Sequence, residues 1–269
     1  MLSGIAWDHI NVFPTFENYV EQFKMFVDSI VNGGSITYNL EDAEVVKVVE
    51  GSENSIRKLG YTTPKYEVDN GQTLLETPEG PMPIEVFGNH NLNNLAGAKW
   101  ICQNMGVDED DFFEAIATFK GASKRLEKIA EGKTSVAFKD FAHSPSKVAA
   151  TTKAVKDQYP GRRLIACLEL HTYSSFNPEF LKEYKGALDA ADEAVIFFLP
   201  ESVAIKKLEE VTPEQISNAF ERDDLKIFTD ASSFHSFVNE ESYENSTLLL
   251  MSSGNYGGLD LNGLKKLMV

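Results

Sequence analysis

The chain has 269 residues, a length that suits two modest domains better than one large one. Its hydrophobic content of 42% is enough to build buried cores, which excludes a disordered chain. The formal net charge of -16 argues against a nucleic-acid backbone or an anionic membrane surface as the main partner. A phosphorylated small molecule remains compatible with this charge, because a local cluster of donors can override it.

The cysteines and the hydropathy of the sequence indicate the cellular compartment of the protein. Cys102 and Cys167 lie in apolar surroundings and form no CxxC pair, so we expect buried, reduced thiols. No apolar run reaches the roughly 18 residues of a membrane-spanning helix, and no basic-then-apolar signal opens the chain. A cytoplasmic protein is expected, and no membrane partner.

Residues 1–121 are predicted as a first α/β region. Aromatic and aliphatic side chains recur at three- and four-residue steps over 14–31, which predicts a helix ended by Gly33 and Gly34. Residues 61–87 contain short strand-like pieces broken at 70–71 and 79–81, as is typical of hairpins. The other predicted elements are a strand at 35–39 and helices at 40–49, 90–105 and 109–119.

The amino terminus, LSGIAWDHINVF, has the pattern of a strand end running into a polar turn, with no element before it. We therefore expect the chain to be a fragment of a longer protein.

Residues 122–269 change to a regular alternation that begins with a hairpin at about 126–140. Near-continuous apolar strands such as AVIFFL and TLLLM require a sheet covered on both faces. Strands that alternate with helices predict a doubly wound, mostly parallel, Rossmann-like sheet. The strands are predicted at 163–168, 194–199, 226–229 and 247–251, and the helices at 145–158, 178–190, 201–210, 213–221 and 232–240, with a last helix at the end of the chain.

Polar loops follow three of the predicted strands, at 140–145, 169–175 and 252–258. Ligands of α/β proteins bind past the carboxyl ends of the strands. One such loop is more often a turn with a helix cap, but three on one edge favour a polar binding cleft.

Shorter polar motifs have alternative interpretations. Asp8 and His9 suit either a helix-entry turn or a metal site, although Mg²⁺ prefers oxygen ligands. Arg125 is either a solvated linker charge or a forked phosphate ligand. The stretch GNHNLNNLAGA could be a helix start capped by Asn89 or a ligand site.

One phosphate motif can be rejected. Gly132, Lys133 and Thr134 resemble the end of a P-loop, but Glu127 occupies the position that requires the first glycine. The segment also lies in a predicted hairpin and opens no helix, so it is interpreted as a turn.

These pieces, in their order, resemble the Mur ligases, the ATP-dependent amide-bond ligases of peptidoglycan assembly. The family pattern combines a DH turn, a G-x-H-N-x-x-N helix start, a G-x-x-[RK]-R-x-E boundary, a D-[YF]-[AG]-H-x-P loop and a late glycine-rich loop. The matching segments are WDHINVF, GNHNLNNLAGA, GASKRLE, DFAHSPSKV and SSGNYGG.

The WDH entry and its aromatic helix are most similar to the branch that joins UDP-N-acetylmuramate to the murein tripeptide L-Ala-γ-D-Glu-meso-diaminopimelate. The UDP-N-acetylmuramate–L-alanine branch is close behind.

The resemblance implies that 1–121 is the later portion of a central ATP-binding domain without its P-loop, and that 122–269 is the carboxyl-terminal domain. ATP and Mg²⁺ are the expected cofactors of the full-length bacterial enzyme, and the fragment alone is expected to be inactive. The remaining partners would be UDP-N-acetylmuramate and a peptide or amino acid.

The resemblance also implies residue roles. His9 would help to hold Mg²⁺, in a site completed by a carboxylate that this chain lacks. Asn91 and Asn94 would lie near the adenine, and an amide suits one base edge because it both donates and accepts. Across the domain boundary, Arg125 would face phosphate and Asp140 the ribose.

The other implied roles concern the substrates. His143 would face them, and Thr172 and Ser174 would contact the incoming peptide.

Three residues depart from the family pattern: Lys124 replaces Arg or His, Ser144 a second His, and Asn255 an Asp. The last two leave the substrate open. Two further hypotheses are a binding module that has lost catalysis and a folylpolyglutamate-synthase-like ligase, against which DFAHSP and LHTYSS argue.

Overall fold

The computed structural model describes residues 1–206, 208 and 211–268. The chain forms two compact units, Met1–Lys120 and a second that begins at Gly121. Among the described residues, every helix falls short of the length and apolar character needed to cross a membrane.

The first unit opens with two parallel strands and two helices. Strand β1 (Ser35–Asn39) pairs in parallel with β2 (Arg57–Tyr61), and Leu2 forms a single parallel bridge to Tyr38 of β1. Helix α1 (Phe16–Asp28) is capped by Thr15, and helix α2 (Ala43–Glu50) by Asp42, whose side chain accepts two N–H groups of that helix. Leu2 therefore lies beside β1, as expected if the first residues of the chain are the end of a strand.

Strand β2 was not predicted. Its sequence RKLGY begins with two charged residues and contains a glycine, and only Tyr61 at its end is fully buried. The apolar pattern that marks a buried strand is absent, and pairing with β1 supplies the conformation instead.

The rest of the first unit is a small antiparallel sheet covered by helices. Strands β3 (Tyr66–Asp69), β4 (Gln72–Thr77) and β5 (Gly80–Ile84) are joined by short turns. The last strand lies earlier than the predicted piece at 84–86. Helices α3 (Asn89–Asn104) and α4 (Glu109–Ala117) pack on this sheet around Leu75, Ile84, Leu92 and Phe112.

The second unit is built on a six-stranded sheet in the order β10–β9–β8–β11–β7–β6. All neighbours are parallel except β6 and β7, which form the predicted hairpin. The strands are β6 (Glu127–Glu131), β7 (Val136–Asp140), β8 (Arg163–Glu169), β9 (Glu193–Phe197), β10 (Lys226–Phe228) and β11 (Ser246–Met251).

Both faces of this sheet are covered. On one face, Ile165, Cys167 and Leu250 pack with Phe234 and Val238 of helix α9 (Ala231–Glu240). On the other, helix α5 (Pro145–Gln158) contacts β8 and β11. The remaining helices are α6 (Pro178–Leu181), α7 (Pro200–Ile205) and α8 (Pro213–Phe220). The prediction of a Rossmann-like, mostly parallel sheet is confirmed.

Three predicted helices differ from the structure. The helix expected at 178–190 ends at Leu181, and a 3₁₀ turn and a left-handed Gly186 follow. The helix expected at 201–210 spans Pro200–Ile205, and residues 207, 209 and 210 lie outside the described part. The final helix is a 3₁₀ turn, Gly263–Lys266. Of the two free cysteines, Cys167 is buried as expected and Cys102 is only half-buried.

Candidate functional site

In the first unit, the candidate ligand residues lie at the start of α3. The side chain of Asn91 donates to the carbonyl of Phe87 at 2.9 Å, which fastens the first turn of the helix. Asn94 is exposed, one helical turn further on, so both asparagines lie on the same side of α3. Gly88 caps this helix with φ +88°, and the predicted capping by Asn89 is wrong because Asn89 is already helical.

Asn93, which lies between Asn91 and Asn94 in the sequence, is buried and forms side-chain hydrogen bonds to the two strands. Its Nδ2 donates to Asn39 Oδ1 at 3.1 Å, Glu41 Oε2 at 3.1 Å and Thr63 Oγ1 at 3.2 Å. Asn39 ends β1 and Thr63 lies just after β2. This network fixes the start of α3 at the carboxyl ends of both parallel strands, where α/β proteins bind ligands. Sequence reasoning missed Asn93, and its helical position between two other asparagines gave no separate signal.

In the second unit, Arg125 lies on a left-handed turn. Its neighbours Lys124 and Leu126 have φ of +57° and +45°, which is costly for side-chain-bearing residues. Arg125 is exposed, and its guanidinium carbon lies 5.2 Å from the ring centre of Phe141, a cation–π distance. Among the described residues no carboxylate pairs with Arg125, so its guanidinium is available to an anionic ligand.

Asp140 ends β7 and is buried, with 4% of its surface exposed. Its Oδ2 accepts the N–H of Leu126 at 2.7 Å, and its Oδ1 accepts the N–H of Ala142 at 2.6 Å. Both carboxylate oxygens are thus engaged by the main chain.

His143 lies in the loop that follows Asp140. Its Nδ1 is 2.8 Å from the carbonyl oxygen of Phe141, and since a carbonyl oxygen only accepts, Nδ1 carries the proton of this bond. The ring meets that of Phe141 edge-on at 5.2 Å, and the hydroxyl of Tyr184 donates to the main-chain oxygen of His143. These contacts hold the ring in place.

The prediction that the loops after β7, β8 and β11 share one edge is confirmed. Met251 at the end of β11 is in register with Asp140 of β7 and with Leu168 of β8. The N–H of Ser252 then donates to the carbonyl of Asp140 at 3.0 Å, and this bond continues the β7–β11 ladder into the glycine-rich loop.

Glu169 ties the loop after β11 to the end of β8. Its buried carboxylate accepts the N–H of Tyr256 at 2.8 Å and the hydroxyl of Ser252, whose oxygen in turn accepts the N–H of Gly254 at 2.6 Å. Burial is the main cause that raises the pKa of Tyr256 well above its ordinary value, and the charge of Glu169 adds to it.

Thr172 and Ser174 follow β8, and Ser174 begins a 3₁₀ turn that ends at Phe176. Thr172 Oγ1 accepts the N–H of Ser175 at 3.1 Å, and the main-chain oxygen of Thr172 accepts the hydroxyl of Ser175 at 2.9 Å. Ser174 is buried, with 4% of its surface exposed. Thr172 therefore shapes the loop in which both predicted residues lie.

His9 has φ +54° and an exposed side chain, and its N–H donates to Asp8 Oδ1 at 2.8 Å. The imidazole Nε2 is 3.9 Å from Asp8 Oδ2. In the described part of the chain no three His, Cys, Asp or Glu residues are grouped as a metal site would require. The residues present therefore do not form a Mg²⁺ site, and Asp8 offers a carboxylate, the harder ligand of the pair.

Apart from His9, the structure thus groups the predicted residues in two sets. Asn91 and Asn94 share the start of α3 in the first unit. Arg125, Asp140, His143, Thr172 and Ser174 belong to the second unit, around the carboxyl edge of its sheet.

Parallel strands with polar loops at their carboxyl ends define an α/β protein with a ligand-binding edge. Residues 1–102 match the Mur ligase middle domain, and residues 124–254 match the glutamate ligase domain of Mur ligases. The chain belongs to the Mur ligase family, and this prediction is confirmed.

Curated relatives are UDP-N-acetylmuramate–L-alanine ligases. One from Caldanaerobacter subterraneus subsp. tengcongensis is 28% identical over 214 residues, covering 73% of this chain and 45% of that protein. One from Mycobacterium tuberculosis is 29% identical over 224 residues, with the same coverage of 73% and 45%. The chain spans about half the length of the curated relatives it matches.

Solved Mur ligases share the fold. MurF from Acinetobacter baumannii superimposes with a TM-score of 0.71 at 14% identity, covering 99% of this chain and 59% of that one. MurF from Thermotoga maritima, solved in complex with ADP, gives 0.68 at 14%, with coverage of 99% and 60%. A murein peptide ligase from Psychrobacter arcticus gives 0.62 at 18%, with coverage of 97% and 57%.

Proposed function

We propose that this chain is the nucleotide- and acceptor-binding part of an ATP-dependent ligase that joins UDP-N-acetylmuramate to a murein tripeptide in the bacterial cytoplasm. The observation that carries the proposal is the carboxyl edge of the second unit, where three polar loops meet beside the exposed Arg125. In this proposal residues 1–121 are the later portion of a central ATP-binding domain, and residues 122–269 are the carboxyl-terminal domain.

The proposed reaction is carboxylate activation. ATP transfers its terminal phosphoryl group to the muramoyl carboxylate, which gives an acyl phosphate and ADP. The amine of the acceptor then attacks the acyl carbon, the amide forms and inorganic phosphate leaves. Both steps place negative charge on phosphoryl oxygens, which a guanidinium such as that of Arg125 stabilises.

Asn91 and Asn94 would hold the adenine, His143 would face the substrates with its ring held by Phe141, and Thr172 and Ser174 would shape the acceptor side. His9 would contribute to Mg²⁺ binding only together with carboxylates from outside this chain, because the described residues assemble no metal site.

The same sequence contains no P-loop, so we propose that the 269 residues alone do not turn over ATP. The test is phosphate release from ATP with UDP-N-acetylmuramate and the tripeptide, alongside calorimetric titration with ADP. Binding of ADP without turnover is expected. Turnover that depends on both substrates would contradict the proposed inactivity, and failure to bind ADP would contradict the proposed nucleotide-binding role.

A second candidate acceptor is L-alanine, favoured by the curated relatives, which are L-alanine ligases at 28% and 29% identity. An acceptor screen separates the two candidates. It uses a longer protein, expressed so as to include any in-frame P-loop that is encoded upstream. Amide formation with the tripeptide and not with L-alanine supports the first candidate, and the reverse supports the second.

A further inference from the structure

We propose that Glu169 binds the primary ammonium group of the acceptor, the group whose nitrogen becomes the amide nitrogen in the proposed reaction. The inference rests on the proposed function, because it takes the acceptor of that reaction as the ligand. L-alanine and the murein tripeptide both carry this ammonium group, so either acceptor would satisfy it. None of the roles proposed above uses Glu169.

The first observation is the place of Glu169 in the fold. It is the last residue of β8, at the edge where the loops after β7, β8 and β11 meet. Ligands of α/β proteins bind at this edge of a parallel sheet. Glu169 is also buried, with 4% of its surface exposed. A carboxylate in such a position has lost most of its hydration, so hydrogen bonds or a cation must compensate its charge.

The second observation is that the two oxygens of this carboxylate differ in their partners. Oε2 accepts the N–H of Tyr256 at 2.8 Å and the hydroxyl of Ser252. Within the described part of the chain, no group donates a hydrogen bond to Oε1. A carboxylate oxygen can accept two hydrogen bonds, so Oε1 of this buried anion can accept donors from a ligand.

The third observation is the charge around Glu169. No lysine, arginine or histidine that the structure describes forms an ion pair with its carboxylate. Burial is the main cause that raises the pKa of Tyr256, and the charge of Glu169 adds to it, with a smaller contribution from Asp140. Two carboxylates therefore act on the same phenol. This negative charge favours a cationic donor at Oε1 over a neutral one.

The fourth observation concerns the kind of cation. A guanidinium binds best to both oxygens of a carboxylate at once, and Oε2 of Glu169 is already engaged by the loop. A primary ammonium is a compact charge with three donors, and one oxygen is enough to bind it. Gly254 keeps the surroundings of that oxygen clear, because a Cβ atom there would lie 3.1 Å from Oε1 and 2.7 Å from Oε2. The geometry therefore favours an amine.

The test compares two peptides on the full 269-residue chain. One is the tripeptide, and the other carries a propionyl group in place of L-alanyl, which removes the ammonium group and little else. Calorimetry measures both affinities at about pH 6.5, where a terminal ammonium with a pKa of about 8 is charged. NMR follows the amide resonance of Tyr256, whose N–H donates to Glu169.

Three variants accompany the unmodified chain. Glu169→Gln removes the charge. Ser252→Ala removes a hydrogen bond of the same loop and keeps the charge, so it controls for a loosened loop. Glu179→Gln is the matched control, since Glu179 is an exposed carboxylate paired with Lys182.

We expect the unmodified chain to bind the tripeptide roughly tenfold more tightly than the propionyl peptide, the factor that about 1.4 kcal/mol produces. In Glu169→Gln this preference should fall to about twofold or less. In Ser252→Ala both peptides should weaken together, so the preference should remain, and Glu179→Gln should change neither affinity. The Tyr256 resonance should shift with the tripeptide and not with the propionyl peptide.

Equal affinities of the two peptides for the unmodified chain would overturn the proposal, and so would a preference that survives in Glu169→Gln. Loss of the preference in Ser252→Ala as well would also overturn it, because the order of the loop would then explain the effect. If Glu169→Gln does not fold, the Tyr256 resonance decides: a shift with the tripeptide alone supports the role, and equal responses to both peptides overturn it.

Titration with ADP separates this inference from the proposed function. A chain that binds ADP and both peptides equally loses only the role of Glu169. If neither peptide binds, the proposed acceptor-binding role fails together with that of Glu169. If the tripeptide is preferred and ADP does not bind, the role of Glu169 stands and the proposed nucleotide-binding role fails.

Discussion

Glu169 Oε2 accepts the backbone N–H of Tyr256 at 2.8 Å, a bond that joins residues 87 positions apart in the chain. It holds the glycine-rich loop after β11 against the end of β8, and the hydroxyl of Ser252 donates to the same oxygen. The order of this loop therefore depends on one buried carboxylate.

Replacing Glu169 by glutamine should loosen that loop. Hydrogen bonds to a charged acceptor contribute about 1.5–3 kcal/mol, and the neutral amide supplies a weaker acceptor. We expect the second unit to lose about 2 kcal/mol of unfolding free energy, and peptides covering 252–258 to exchange faster in hydrogen-exchange mass spectrometry. Glu179→Gln is the control, because Glu179 is exposed and pairs with Lys182 on the surface. Equal effects of the two changes would refute a special role for Glu169.

Gly254 leaves room for the same carboxylate. A Cβ atom at this position would lie 2.7 Å from Glu169 Oε2, closer than real contacts allow. Gly254→Ala should destabilise the second unit by about 1–3 kcal/mol, the cost of overpacking. Gly161→Ala is the matched change, since no described heavy atom lies within 4 Å of a Cβ there. Circular dichroism during urea unfolding measures both, and similar stability of the two variants would contradict the steric explanation.

Lys124 provides a test of the left-handed turn by itself. Lys124→Ala and Lys124→Gly both remove an exposed charge, but only glycine accepts φ +57° without strain. The glycine variant should be more stable than the alanine variant by about 1 kcal/mol in urea unfolding. At Lys133, an exposed turn residue outside the left-handed positions, we expect the opposite order, since glycine there only adds freedom to the unfolded chain.

Tyr61 and Tyr38 differ in one hydrogen bond. The hydroxyl of Tyr61 is buried and has no partner among the described protein atoms, whereas that of Tyr38 donates to Glu50. Tyr61→Phe should therefore gain about 1 kcal/mol of stability and Tyr38→Phe should lose a similar amount. Both tryptophans, Trp7 and Trp100, lie in this first unit, so tryptophan fluorescence during urea unfolding reports on it.

The advantage of Tyr61→Phe should also grow in alkali. Burial, with the charge of Glu41, raises the pKa of Tyr61 to about 12 from the ordinary 10.0. The folded protein therefore keeps this proton while the unfolded chain loses it. As a result, the free energy of unfolding of the unmodified chain is unaffected by this titration below pH 10 and falls as the pH rises towards 12. A stability difference between Tyr61→Phe and the unmodified chain that stays constant from pH 9 to pH 11 would contradict this.

The two cysteines should react at different rates. Burial is the main cause that raises the pKa of the Cys167 thiol, and its side chain is 0% exposed, so its thiolate is both scarce and inaccessible. Cys102 is half-buried. Iodoacetamide should add one group in the folded protein, at Cys102, and a second only in urea. Intact mass spectrometry of the Cys102→Ser variant is the check, and a rapid adduct there would show that Cys167 is accessible.

Most strands and helices of the second unit could be predicted from the sequence, because the residue patterns that mark them are local. Strand AVIFFL is uniformly apolar, as a strand covered on both faces must be, and helix α5 begins at Pro145 as predicted. Strand β2 could not be predicted, because RKLGY lacks a strand pattern and forms a strand only through pairing with β1. The helix expected at 178–190 had helical spacing, but the structure replaces its second half with a left-handed turn at Gly186.

The candidate site could be predicted only in part, because its hydrogen bonds join residues that are distant in the sequence. Order along the chain and family resemblance singled out Arg125 and Asp140, and the edge of the sheet could be derived from the alternation of strands and helices. The bonds from Asp140 to Leu126 and from Asn93 to Asn39 depend on tertiary packing, which no spacing rule encodes. The sequence thus indicated the candidate site residues, whereas their hydrogen-bond partners became known only from the structure.

The position of β11 has a consequence for how the second unit acquires its structure. β11 is synthesised after the other five strands, yet it lies between β7 and β8, which do not pair with one another. During synthesis these two strands therefore remain unjoined until Ser246–Met251 has left the ribosome, and each then gains a neighbour about 80 to 110 residues away. We therefore expect a nascent chain halted before β11 to expose two apolar strand edges to chaperones or aggregation.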